Sequence, residues 1–190
     1  MSDRLVIPRY ARDDIKRESA GLSSTGNVLS AAAILLFRGT PMQKTVEIPG
    51  HGGHIKIEVL GYERPETRDR SDANWLAAAC SVVVGEFSCS LKLSLITSDF
   101  VLFLSQLEEA VSLMRGTAVF NTLEEGLEFT IHFNSAGWAD VRGRAQSQTS
   151  LVPERTALSF SFKTDQSFLA KTVRELKGIV RAFPIREAKA

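Results

Sequence analysis

FSCSLKLSLITSDFVLFLSQLEEAVSLMRG, residues Phe87–Gly116, changes its period part-way along. In its first third Phe87, Cys89, Leu91, Leu93 and Leu95 alternate with Ser88, Ser90, Lys92 and Ser94. Alternation of this kind describes a strand with one apolar and one wet face. Beyond Thr97 and Ser98 the apolar residues Leu104, Leu107, Val111 and Met114 recur at spacings of three and four, the stripe of a half-buried helix. Thr97 or Ser98 is the predicted N-cap, Asp99 suits the first turn, and Gly116 falls just past the end. A strand therefore feeds a helix directly, and the helix packs on a sheet.

The design recurs at the other end of the chain. Leu158, Phe160 and Phe162 alternate with serines and a lysine, Asp165 offers a cap, and Leu169, Val173, Leu176, Val180 and Phe183 form a second stripe that Pro184 stops. Thr97 superimposes on Thr164, an offset of 67 residues, and an internal period reports a structural repeat. Upstream of the first copy, Val46 and Ile48 are joined through GHGG to Ile55, Ile57 and Val59, and NWLAAACSVVV turns at Gly85-Glu86 so that Val84 meets Phe87. Upstream of the second, strands are predicted at Thr117–Asn121, Leu127–Phe133 and Ala139–Ala145, with a turn at Asn134–Gly137. The fold class is α+β: one curved, mainly antiparallel sheet of about eight strands with two helices on one face. It is built as two tandem ββββα units, residues 42–116 and 117–184, each helix covering the half of the sheet that its own unit supplies.

The chain has 190 residues, 44% hydrophobic and 24% charged, with a formal net charge of +1. Setting aside residues 1–41, with six basic and four acidic side chains, moves the balance only to −1. A phosphate-backbone binder needs a clear basic excess, so no nucleic-acid partner is expected. Residues 1–41 lack the grammar of the rest. Their apolar run VLSAAAILLF is too short for a bilayer, which takes about 20 residues, and acidic residues precede it, unlike a signal peptide. The expectation is a poorly ordered extension or a mis-assigned start ahead of Met42, followed by a single domain over residues 42–190. Cys80 and Cys89 fall one diagonal step apart on a predicted hairpin, which disfavours a disulfide and suits a reducing cytoplasm.

No constellation of catalytic residues emerges. His51 and His54 flank a glycine turn and His132 lies far away, without a thiol or carboxylate at ligand spacing, so no metal site is assigned. The serines sit where strand alternation already explains them, and no nucleophile elbow or phosphate-binding glycine loop is present, so no enzyme and no cofactor are expected. Glu108-Glu109 and Glu124-Glu125-Glu128 read as solvated charge. The one distinctive surface is the outward face of the second unit. Glu128, Thr130 and His132 on one strand would lie beside Asp140, Arg142 and Arg144 on the next, with Trp138 at the rim. Mixed charge beside an aromatic is what a specific protein interface uses for register.

The segment from Asp72 to Pro184 resembles the WapI-type immunity proteins of bacterial polymorphic toxin systems. The resemblance is carried by DANWL at 72–76, VVVGEFSCS at 82–90, LITSDFVLFLSQLEEAV at 95–111 with its MRGTAVF continuation, LEFTIHFNSAGWADVRGRA at 127–145 and LSFSFKTDQSFLAKTVRELKGIV at 158–180. It implies stoichiometric neutralisation of a cognate toxin in the cytoplasm, with no catalysis and no membrane partner, and it supplies no site residues of its own. The alternative is a non-catalytic small-ligand or scaffold domain with a cavity lined by Phe129, Phe160 and Phe162.

Overall fold

The computed structural model describes residues 44–67, 69, 72–134, 137–148 and 156–187. The expectation for residues 1–41 lies outside them. Residues Gly39–Ala190 make one compact unit. Its elements run β1 (Thr45–Gly50), β2 (Gly53–Tyr62), β3 (Trp75–Val84), β4 (Phe87–Ile96), α1 (Thr97–Leu113), β5 (Gly116–Asn121), β6 (Leu127–Phe133), β7 (Trp138–Gln146), β8 (Ala157–Asp165) and α2 (Gln166–Ala182). This is the α+β doubling read from the period, ββββα twice over, and every strand pair is antiparallel.

The strands do not form one ladder. They divide into two four-stranded sheets, ordered β1-β2-β3-β4 and β5-β6-β7-β8. Among the described residues, main-chain continuity across the seam is one isolated bridge, in which the His51 N–H donates to the Lys163 carbonyl at 2.7 Å. The Thr164 hydroxyl adds a bond to the Pro49 carbonyl, also at 2.7 Å. A continuous ladder would need an edge strand of one unit, β1 or β4, to pair along its length with an edge strand of the other. Instead the chain leaves β4 as a helix, and that helix runs beside β5.

Each helix closes the first strand of the other unit, not of its own. α2 lies along β1: the Glu47 N–H donates to Glu175 Oε2 at 2.9 Å, and its carbonyl accepts from Thr172 Oγ1 at 2.6 Å. α1 lies along β5, where Gln106 Oε1 accepts from the Val119 N–H at 2.8 Å. β1 and β5 are edge strands, and an edge left bare is a template for unwanted pairing. Side chains from the helices satisfy main-chain groups that the sheets cannot.

That docking corrects the helix stripes. In α1 the fully buried line is Phe100, Phe103, Leu107 and Ala110, while Leu104 and Val111 are only half-buried and Met114 is 49% exposed. In α2 it is Leu169, Thr172, Leu176 and Ile179, with Val173 and Val180 half-buried. Both helices have rolled toward the edge strand they cover. The caps shift too. The α1 N-cap is Ile96, whose N–H bonds to the Asp99 carboxylate at 3.1 Å, and the Thr97 hydroxyl goes to the Asn74 carbonyl instead of capping. Helix α1 ends on Met114 in the left-handed region at φ 48°, ahead of Gly116.

The inward faces of both sheets and both helices form one contiguous core. At its centre Phe120 stacks on Phe129 with ring centroids 5.2 Å apart, and Phe103 meets their edges at 5.4 and 5.3 Å. Phe160 and Phe162 are buried beside them. A Cβ added at Gly143 would come within 2.6 Å of Phe129 Cβ and 2.5 Å of Phe160 Cζ, so the glycine makes room for the rings. Packed rings occupy the space in which Phe129, Phe160 and Phe162 would have lined a ligand cavity. Cys80 and Cys89 are both free, facing Leu91 and Val82 in register, and burial pushes the Cys80 thiol up to about 12.

Two outcomes follow from these contacts. Thr172→Val should cost about 1–3 kcal/mol, because it leaves the Glu47 carbonyl unbonded under a fully buried side chain, and urea unfolding will measure it. The two helix-start carboxylates should respond to pH in opposite senses. Asp165 is held below its ordinary range, first by the Ser167 hydroxyl and then by main-chain N–H groups of the helix it caps. Its contribution is present above the unfolded-state value and lost as pH falls. An asparagine still caps, so Asp165→Asn should cost only the charge's share, about 0.3–1 kcal/mol near neutrality, and progressively less toward pH 3. Burial raises Asp99 against the opposing Ile96 hydrogen bond, so its ionised form costs stability at neutral pH and the cost disappears in acid. Relative to wild type, Asp99→Asn should accordingly do better at pH 7 than at pH 3.

Candidate functional site

The outward face of β5–β8 is a regular grid because the pleat of one strand is in phase with the next. Asn121, Glu128, Arg144 and Ser159 form one row across the sheet, and Val119, Thr130, Arg142 and Ser161 the next. Thr117, His132, Asp140 and Lys163 form a third, and Trp138 faces Asp165 at the end. All seven residues singled out from the sequence thus stand on one face, with Glu128 against Arg144, Thr130 against Arg142 and His132 against Asp140. Between them lies a shallow depression of about 460 Å³, lined on this face by Val119, Asn121, Glu128, Thr130, Arg142 and Arg144.

The charges on this face are not used internally. Glu128, Arg142 and Arg144 are exposed and Asp140 is half-buried. Among the described residues none of the four takes part in an ion pair. The helix side of the molecule contrasts with this. There Lys171 binds Glu47 at 3.2 Å and Glu175 at 3.6 Å, and Lys177 reaches Glu108 at 2.6 Å. His132 is engaged by the Thr117 hydroxyl at 2.8 Å, and the Thr130 hydroxyl touches the Arg142 carbonyl at 3.5 Å.

Two members of the rim have no counterpart in the sequence reading. The His51 ring lies 5.0 Å from Trp138 and 5.5 Å from Phe168, with Nε2 3.4 Å from the Asp165 carboxylate. Trp138 is 40% exposed and Phe168 36%, so the seam carries a solvent-facing aromatic step beside the charged grid. Three distant segments build it: the β1–β2 turn, the start of β7 and the first turn of α2. No local periodicity signals such a meeting.

The carboxylates do not form an acid–base pair. Glu108 is spent on Lys177, Glu124 and Glu125 lie in the β5–β6 turn, and Glu128 faces outward. The three histidines stay apart, on the β1–β2 turn, β2 and β6, and among the described residues no three metal-binding side chains converge. Burial raises both thiols, Cys80 within the core and Cys89 half-buried against it.

The model of the WapI-like immunity protein family matches residues 47–184, from β1 to the end of α2. The chain belongs to that family. It is an immunity protein, and the matched span runs from within β1 through α2 and includes every residue of the grid. Two solved structures share parts of its outline. A CdiA-CT/CdiI toxin and immunity complex from Enterobacter cloacae is 15% identical, with a TM-score of 0.35, covering 54% of this chain and 88% of that one. MRP1/MRP2 of Trypanosoma bruciei is 10% identical, with a TM-score of 0.40, covering 80% and 92%. No curated protein sequence matches. Among the described residues of this immunity protein, no helix is long and apolar enough to cross a membrane.

If the grid is not part of the internal framework, Arg142→Glu and Arg144→Glu should each leave stability within about 0.5 kcal/mol of wild type in urea unfolding.

Proposed function

We propose that this WapI-like immunity protein neutralises one cognate bacterial toxin by stoichiometric binding in the cytoplasm, without catalysis. The outward face of β5–β8 is the docking surface. The observation that carries the reading is the grid itself: Glu128, Asp140, Arg142 and Arg144 stand in fixed register, unpaired, on a sheet face that neither helix covers. Fixed charges of both signs steer a partner and set its register, and a partly buried aromatic at the rim supplies desolvated contact. In this role Trp138 and Phe168 anchor, and Glu128, Thr130, His132, Asp140, Arg142 and Arg144 specify. Four strands fixed by the sealed core hold these groups rigidly, so little ordering cost falls on binding.

The test takes its candidate toxin from the open reading frame adjacent to this gene. Co-expression should restore growth, and the purified pair should run as a one-to-one complex. Combining Asp140→Arg, Arg142→Glu and Arg144→Glu should weaken that complex at least about a hundredfold, since each reversal sets like charge against the toxin. A folded triple variant that still binds and protects as wild type does would remove this face from the mechanism.

A further inference from the structure

Asn74, in the DANWL stretch, is only half-buried and stands off the charged grid, immediately before β3. Both its main chain and its side chain are engaged. The carbonyl accepts from the Thr97 N–H at 3.1 Å and from the Thr97 hydroxyl at 3.3 Å, which fixes the start of α1. The side-chain amide meets the chain beyond α2: Oδ1 accepts from the Arg186 N–H at 2.7 Å, and Nδ2 donates to the Arg186 carbonyl at 3.1 Å. A carboxamide offers a donor and an acceptor side by side, so it can pair with one residue's main chain as a neighbouring strand would. One residue thus joins the first turn of one helix to the segment that leaves the other.

The rest of that segment is held as closely. The Arg186 guanidinium carbon lies 3.8 Å from the centroid of the Tyr62 ring, and Nη1 donates to the Pro65 carbonyl at 3.0 Å. The Tyr62 hydroxyl donates to the Pro184 carbonyl at 2.5 Å, and its ring meets the edge of buried Phe183 at 5.7 Å. The loop that receives these contacts is itself closed, by the Glu63 N–H on the Trp75 carbonyl at 2.9 Å and by the ion pair of Arg64 with Asp72. Residues 184–187 carry no helix or strand of their own, so side chains hold them in place of a main-chain ladder.

We infer that Asn74, Arg186 and Tyr62 form a clasp that holds α2 on the β1 edge, so that the helix leaves β1 only when the clasp breaks. α2 starts directly from β8, a strand of the second unit, and closes β1, a strand of the first. Leu169, Leu176 and Ile179 supply its apolar contact with the core. Its start is rooted in β8 by the chain itself, and its far end is tied to the first unit through the clasp. With both ends anchored the helix has no free end to swing. With the clasp open it can pivot on β8 and bare the N–H and C=O of Glu47, turning β1 into an edge that other strands can join. The clasp lies in the first unit, away from the grid on β5–β8, and it acts whether or not that grid docks a toxin.

Amide hydrogen exchange of the full chain, read at the Glu47 N–H, is the experiment, with urea unfolding of the same variants beside it. Asn74→Ala removes both side-chain bonds and keeps the main-chain carbonyl that Thr97 uses. It should speed exchange at Glu47 about tenfold or more, by the same factor by which it lowers the folding equilibrium constant in urea. Arg186→Ala, at a half-buried position outside any helix or strand, leaves the fold intact and should speed the same amide about threefold or more. Because the two residues share one segment, the double variant should fall short of the product of the two factors. Glu47 exchange that stays at the wild-type rate while Asn74→Ala lowers stability in urea overturns the inference, since α2 would then open with the clasp still closed. So does a pair of variants that changes neither measurement, or a double variant whose factors multiply, which would make these separate contacts and not one clasp.

Discussion

The main chain at Glu47 is the point on which the architecture turns. Its N–H and C=O face away from β2, and both are taken by side chains of α2, Glu175 and Thr172, from the far end of the chain. Without them β1 would be a bare edge, and with them the last helix is bound to the first strand. The matching contact between Gln106 and Val119 binds α1 to the start of the second unit. The two units are thus interlocked, each lending its helix to the other, and neither ββββα half closes its own sheet. Interlocking also explains why the core is one cluster and not two.

With both helices committed to edges and core, the faces of the sheets opposite them stay open. On β5–β8 the open face carries charge of both signs that is not used within the molecule. On the helix side comparable charges, such as Lys177 and Glu108, are spent holding the two helices together. Internal ion pairs and unpaired charges are in this way confined to different surfaces. The grid residues point away from the buried rings of Phe103, Phe120 and Phe129.

The β4 edge follows from the same economy. Helix α1 starts immediately at Thr97 and runs beside β5, and among the described residues no element closes the distal part of β4. The consequence is a strand with Leu93 and Leu95 buried and Phe87 in solvent.

Strand identity, pairing order and the doubling were legible in the sequence because alternation, a tight glycine turn and a repeat are local signals, each fixed by sterics over a few residues. The grid was legible for the same reason: the parity of β6 and β7 alone decides which side chains share a face. Rotation of the helices was not, since Leu104 and Phe103 are equally apolar, and only the presence of β5 beside α1 selects the line that is buried. Nor were the split into two sheets and the exchange of helices, which depend on where β1 and β5 arrive in space. The His51, Trp138 and Phe168 cluster lies furthest from sequence reasoning, because its members are brought together by the seam between the units. Local chemistry determined the elements and their faces; only the tertiary structure decided which edges met, because hydrogen bonds between distant segments carry no periodicity along the chain.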